Sequence, residues 1–183
     1  MNKNFNRVVK LTTAAMLTAL SIVSLYIIHL PILPSAPFLE YDCADIPVLI
    51  GTLVLGPVFG EIILLAVCLI QAFTVSAASG IIGFLMHFFA STLLILIPGI
   101  IYTKKKTVKA LINGLILGII GMTVIMIPLN LVFTGIFLGA GTKTVISMLM
   151  PAIIPFNLLK GTINAVVTIL IYLPIKDRVF KQG

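Results

Sequence analysis

Charge is what this sequence has least of. Asp, Glu, Lys and Arg make up 9% of its 183 residues, while 60% are hydrophobic; a soluble domain carries about 25% charged residues. A soluble interior is too small to hide that much apolar surface, so lipid must cover the remainder. Cysteine is scarce too. Cys43 falls in a loop and Cys68 inside an apolar run, which gives no support to a disulfide and suits two small space-fillers. No HExxH sequence is present, and His87 has no carboxylate or second histidine four residues away, so a metal site has little support. The run Gly139-Ala140-Gly141-Thr142-Lys143-Thr144 lacks the Gly-Lys-Ser/Thr order of a phosphate-binding loop, which excludes ATP hydrolysis by that route. Ser79, Ser91 and His87 form no recognisable nucleophile–base arrangement. The expectation is a protein that is not an enzyme and needs no cofactor or metal.

What the chain does have is a succession of apolar stretches long enough to cross a bilayer. The first, 11–30, is about twice the length of a secretory leader's apolar region and is followed by no small-x-small cleavage site. The spacing predicts an all-α membrane protein, a six-transmembrane-helix bundle forming a single integral membrane domain over 1–183. The helices are expected at about 8–30, 45–55, 57–75, 78–102, 108–137 and 151–175, with Gly56-Pro57 as the tight turn between the second and third. No soluble domain, linker or internal repeat is evident, which weakens a symmetric carrier.

The net charge of +7 has a positional explanation. Ten of the twelve basic residues fall in three clusters: Lys3, Arg7 and Lys10; Lys104, Lys105, Lys106 and Lys109; Lys176, Arg178 and Lys181. Each abuts the end of an apolar span, as cytoplasmic segments do. Six spans with both termini cytoplasmic place all three clusters on one side, and no nucleic-acid role is needed. Segments 31–44, 76–79 and 138–150 then face outward.

In so apolar a chain the polar residues near the membrane are informative, because each costs free energy. They gather on the outer half: Glu40, Asp42 and Asp45 in or after the first loop, Asn130 in helix 5, Asn157 and Lys160 in helix 6. Asn157 and Lys160 are three apart and share a helix face. A lysine this deep costs about 2.5–3.5 kcal/mol unless it snorkels or is paired. It therefore either reaches the interface, pairs with a carboxylate, or faces a cavity with Asn157 and bonds a polar heterocycle. Asp45, before Ile46-Pro47, reads as an N-cap. The proline-stiffened loop carrying Phe38, Leu39 and Tyr41 is either a lid over a cavity or an interfacial loop. His87 reads as a packed residue, His29 as interfacial, and Glu61 as an inner-end group near headgroups, water or a partner. Ala15 and Ala19 form a small-xxx-small pair in helix 1, and Gly114 and Gly118 another in helix 5. They serve packing within the bundle or, at the Ala14/Ala15/Ala19 face, docking of another membrane protein.

Several segments together resemble one family. Phe38-Leu39-Glu40-Tyr41-Asp42-Cys43-Ala44-Asp45-Ile46-Pro47, continued by Val48-Leu49-Ile50-Gly51 and Gly56-Pro57 with Gly60, resembles the loop-and-helix signature of riboflavin-specific S components of energy-coupling factor (ECF) transporters. Pro155-Phe156-Asn157-Leu158-Leu159-Lys160-Gly161 resembles that family's helix 6 motif, and Ala15-x-x-x-Ala19 its helix 1 docking motif. Cys43-Ala44 departs from relatives that carry a hydroxyl or aromatic there. The resemblance implies a substrate-binding subunit that captures riboflavin at the outer face of a bacterial cell membrane. It implies polar contacts from Asn130, Asn157 and Lys160, with Leu39, Glu40, Tyr41 and Asp45 in the covering loop and the helix after it. It further implies a membrane coupling (T) subunit and two ATPases as partners, with Ala15 and Ala19 facing the coupling subunit. Within that resemblance, the lack of tryptophan counts against S components that stack thiamine between indoles. The alternatives are an S component for a different vitamin or small heterocycle, and an autonomous carrier. A carrier wants an ionisable relay across several helices, whereas Lys160 is the one clear charge within an apolar segment.

Overall fold

The computed structural model describes residues 7–34 and 36–180, with the side chains of 177–180 excepted. Lys3, Lys181 and the Arg178 side chain, members of the terminal basic clusters, lie outside the described residues. The chain is built from helices α1 (Arg7–Ile27), α2 (Asp45–Leu55), α3 (Pro57–Phe73), α4 (Gly80–Lys105), α5 (Val108–Leu138) and α6 (142–180). Among the described residues four of these, α1, α4, α5 and α6, are long and apolar enough to cross a membrane; α2 and α3 are shorter apolar helices.

Large apolar side chains such as Met16, Val23, Ile62, Phe73, Ile116 and Leu170 are exposed on the outside, as expected where lipid is the solvent. The core of Leu49, Ile63, Leu64, Leu94, Leu111 and Leu115 lies between the helices. Helices α4 and α5 approach closely through glycine: a Cβ at Gly114 would sit 2.7 Å from the Pro98 Cα, and one at Gly118 3.1 Å from the Leu94 carbonyl. That pair therefore serves packing within the bundle. The α2–α3 turn is made by Gly56 at φ 101 and Pro57 in the first position of α3, where a missing N–H costs nothing.

The boundaries differ from the sequence reading in physically instructive ways. The first helix stops at Ile27 rather than residue 30, because His29–Pro31 (β1) pairs antiparallel with Glu40–Asp42 (β2), His29 opposite Asp42 and Pro31 opposite Glu40. The expected loop is thus a hairpin, with its backbone groups satisfied by pairing. The third helix ends at Phe73 rather than 75. The fourth runs 80–105 rather than 78–102, closing on Lys106 at φ 49, whose N–H donates to the Tyr102 carbonyl at 2.8 Å. Thr107 then caps α5 by accepting the Ala110 N–H at 3.2 Å.

The largest difference is at 138–150, expected as an outer loop. Helix α6 begins at Thr142, and Pro151, read as a helix start, lies inside a π-turn spanning Leu149–Ile153. A wider turn accommodates a proline that has no N–H and would clash with the carbonyl four residues back. A second π-turn, Asn130–Thr134, follows Pro128 in α5.

Candidate functional site

Both π-turns sit at one end of the bundle, and a cavity of about 260 Å³ opens there. This is close to the lower end of the about 300–1,000 Å³ usual for small-molecule pockets. Its walls come from the β1–β2 hairpin, the end of α3, the first half of α4, the last part of α5, and α6 just beyond its π-turn. The α4–α5 turn, with Lys104, Lys105, Lys106 and Lys109, lies at the opposite end of those two helices. Phe38, Leu39, Ile82, Met86, Met122, Met126 and Phe156 make the apolar part of the lining. Methionine-rich apolar linings of this kind adapt their shape to what they enclose.

The polar part is organised around one buried ion pair. Lys160 Nζ lies 2.8 Å from Asp42 Oδ2, with the two side chains only 9% and 3% exposed. The lysine therefore neither snorkels nor stands alone: it pairs with a carboxylate and lines the cavity at once. Asp42 Oδ1 also accepts the Ala44 N–H at 3.1 Å, tying β2 to the start of α2. Asn157 donates to the Ile153 carbonyl at 2.7 Å, which anchors its amide while its Oδ1 has no partner among the described residues. Asn130 donates to the Met126 carbonyl at 2.7 Å and accepts the Thr134 hydroxyl at 2.7 Å. Widened turns of this type are frequent at functional sites, and here one holds Asn130 and the other ends at Ile153, three residues before Phe156.

Leu39, Glu40, Asn130, Asn157 and Lys160 all line the cavity. Tyr41 and Asp45 do not: they form a buried layer behind it. The Asp45 carboxylate lies 3.3 Å from His87 Nε2 and accepts from Asn164 Nδ2 at 3.4 Å; Asn164 Oδ1 accepts the Tyr41 hydroxyl at 3.0 Å. Burial, and secondarily its contact with Cys43, pushes the Tyr41 hydroxyl well above its ordinary pKa, so it remains a donor to Asn164. The N-cap expected of Asp45 is not observed. Ala44 occupies the cap position without a side-chain bond, and Asp45 is the first residue of α2, its carboxylate drawn inward by His87 and Asn164. The acid that serves the helix start is Asp42.

Sequence reasoning left Asp42 and His87 outside the site and missed Gln71, Ser76 and Asn164, although all but Asn164 line the cavity. A signal for Asn164 was available: Asn157, Lys160, Asn164 and Thr168 fall on one face of α6, and all four are buried. The His29 Nε2 lies 2.9 Å from Glu40 Oε2 across the hairpin. Glu61 accepts the Thr92 hydroxyl at 3.0 Å. Cys43 and Cys68 are both free. Ala15 and Ala19 are exposed on the outer face of α1, whereas Ala14 is turned into the bundle.

Comparison with known proteins agrees with this architecture. The family model described as "ECF transporter, substrate-specific component" matches residues 9–172. The riboflavin transporter RibU of Staphylococcus aureus (strain TCH60) is 32% identical, the match covering 89% of this chain and 88% of that one. The riboflavin transporter FmnP of Bacillus subtilis (strain 168) is 28% identical with 96% of each covered. A solved S component of a bacterial ECF transporter superposes with a TM-score of 0.83 at 31% identity, covering 96% of this chain and 99% of that one. With its fold, its span-forming helices and nearly its whole length accounted for by these matches, the chain belongs to the substrate-specific components of ECF transporters.

Proposed function

We propose that this chain is the riboflavin-capturing subunit of an ATP-driven uptake transporter in a bacterial plasma membrane. The observation that carries the reading is the cavity itself: apolar walls around Asn157 and Lys160, at the end of the bundle away from the basic α4–α5 turn. An isoalloxazine ring is flat and largely apolar, with carbonyl and imide groups along one edge. Lys160 donates to a ring carbonyl, while the anchored Asn157 supplies an acceptor to the imide. Asn130 completes the polar edge. Leu39 and Glu40 cover the guest from the hairpin, and Tyr41 and Asp45 hold hairpin and helices in register behind it. The names of the relatives support riboflavin over another vitamin.

In this reading the chain is a single membrane domain of six spans with both termini cytoplasmic, since the basic clusters then lie inside and the cavity outside. It performs no chemistry of its own. Energy comes from two ATPases through a membrane coupling subunit, which docks on the exposed Ala15/Ala19 face of α1; small residues there permit close helix approach. Titration of the purified chain into riboflavin tests the substrate: saturable quenching of flavin fluorescence is expected, and unquenched fluorescence refutes the assignment.

A further inference from the structure

A second cavity, of about 300 Å³, lies at the other end of the bundle, between the α2–α3 turn and the last turn of α4. Leu53 and Val54 at the end of α2, Pro57 in the turn, and Val58 and Phe59 at the start of α3 form its apolar wall. Val58 is exposed, so that wall continues into the lipid-facing surface of the helices. An apolar hollow offers water too few hydrogen-bond partners, and its lining forfeits dispersion contacts while nothing fills it. An acyl chain drawn from the surrounding bilayer meets both conditions.

The rim of this hollow is cationic. Lys106 lines it, together with Tyr102 and Thr103 from the same end of α4. Lys106 closes the helix in the left-handed conformation, φ 49, with its N–H held by the Tyr102 carbonyl at 2.8 Å, which fixes where its side chain departs. Lys104, Lys105 and Lys109 are exposed on the turns to either side, and among the described residues no acidic side chain lines the hollow. Inside it the Tyr102 hydroxyl accepts from the Tyr172 hydroxyl at 3.0 Å, which leaves its own hydrogen to donate. The outer cavity differs in kind, because its lysine is neutralised by Asp42.

We infer that this hollow is a binding site for an anionic phospholipid, with an acyl chain along Val54, Val58 and Phe59 and the phosphodiester at Lys106 and Tyr102. Basic pockets between helices at the cytoplasmic side hold anionic headgroups, and in the orientation proposed above this end meets the cytoplasmic leaflet. The apolar wall alone would take any lipid; the lysines select the anionic one. A lipid seated here ties the α2–α3 turn to the end of α4. The site is separate from the outer cavity and does not depend on which guest that cavity takes.

The test is native mass spectrometry of the purified full chain in micelles holding equal amounts of phosphatidylglycerol and phosphatidylcholine with identical acyl chains. The wild-type chain retains phosphatidylglycerol over phosphatidylcholine, by roughly five-fold for each lysine that meets the headgroup. Lys106→Asn removes the charge with a residue that tolerates positive φ and lowers that preference about five-fold. The paired change Lys104→Gln and Lys105→Gln serves if Lys106→Asn does not fold. Val58→Trp fills the hollow from its exposed rim and lowers phosphatidylglycerol retention with every lysine in place. Equal retention of the two lipids by the wild-type chain, or a preference that survives either the charge variant or Val58→Trp, overturns the site. A photoreactive amino acid at position 58, irradiated in cell membranes, identifies the occupant: a phospholipid adduct supports the site, and an adduct to another protein assigns the hollow to a partner helix and overturns it.

Discussion

Replacing Lys160 separates two tasks that the structure gives to one side chain. Lys160 neutralises Asp42 at 2.8 Å inside the bundle, and the same ammonium lines the cavity. In Lys160→Met the Asp42 carboxylate keeps only the Ala44 N–H at 3.1 Å and is otherwise stranded. Removing one partner of a buried pair costs about 3–5 kcal/mol, so a large drop in melting temperature in detergent is expected. Losing the charged hydrogen bond proposed between Lys160 and the ring would remove about 1.5–3 kcal/mol of binding energy, which is roughly ten- to hundred-fold in Kd. Adding Asp42→Asn resolves the two effects. With no charge left to strand, the double variant recovers stability to within about 1 kcal/mol of wild type, yet its riboflavin affinity stays low. Melting curves and flavin fluorescence titration on the three proteins read both quantities. A double variant that binds riboflavin as tightly as wild type would show that Lys160 is a structural clamp and refute its assignment to the ligand.

Three further outcomes follow from the geometry. Asn157→Ala leaves the fold intact, because the lost bond is a local one to the Ile153 carbonyl, and weakens riboflavin by about ten-fold in the same titration. Bulky replacements at Ala15 and Ala19 spare flavin binding by the isolated chain, since both positions are exposed on α1, but abolish riboflavin uptake by cells; normal uptake rates refute the docking proposal. Gly114→Val forces a side chain against the Pro98 backbone, 2.7 Å from where its Cβ must lie, and destabilises the α4–α5 pair by about 1–3 kcal/mol, measured as a lowered melting temperature.

Much of the fold was legible because apolar length and glycine placement act locally. The starts of α2, α3 and α5 and the Gly56-Pro57 turn follow from short-range rules. Two features were not legible, one because it depends on a strand partner further along the chain and the other because it depends on a departure from regular helix geometry. Whether 29–42 is a loop or a hairpin turns on the pairing of His29–Pro31 with Glu40–Asp42. Whether Pro151 starts a helix or lies within one turns on a π-turn that no local propensity encodes. The site divides the same way. Asn157 and Lys160 stood out because polar groups on one face of an apolar helix are costly. Asp45 was misread as a cap because its partners, His87 and Asn164, come from α4 and α6. Gln71 went unnoticed because a single amide near a helix end is unremarkable until its burial and its unpartnered oxygen are seen together.

An experimental structure of the chain with riboflavin bound tests the central claim most directly. The account expects the ring between the Phe38–Leu39 segment and α6, its heteroatom edge within hydrogen-bond distance of Asn157 and Lys160. A ring seated anywhere else on the protein, or held there without contact to either side chain, contradicts it.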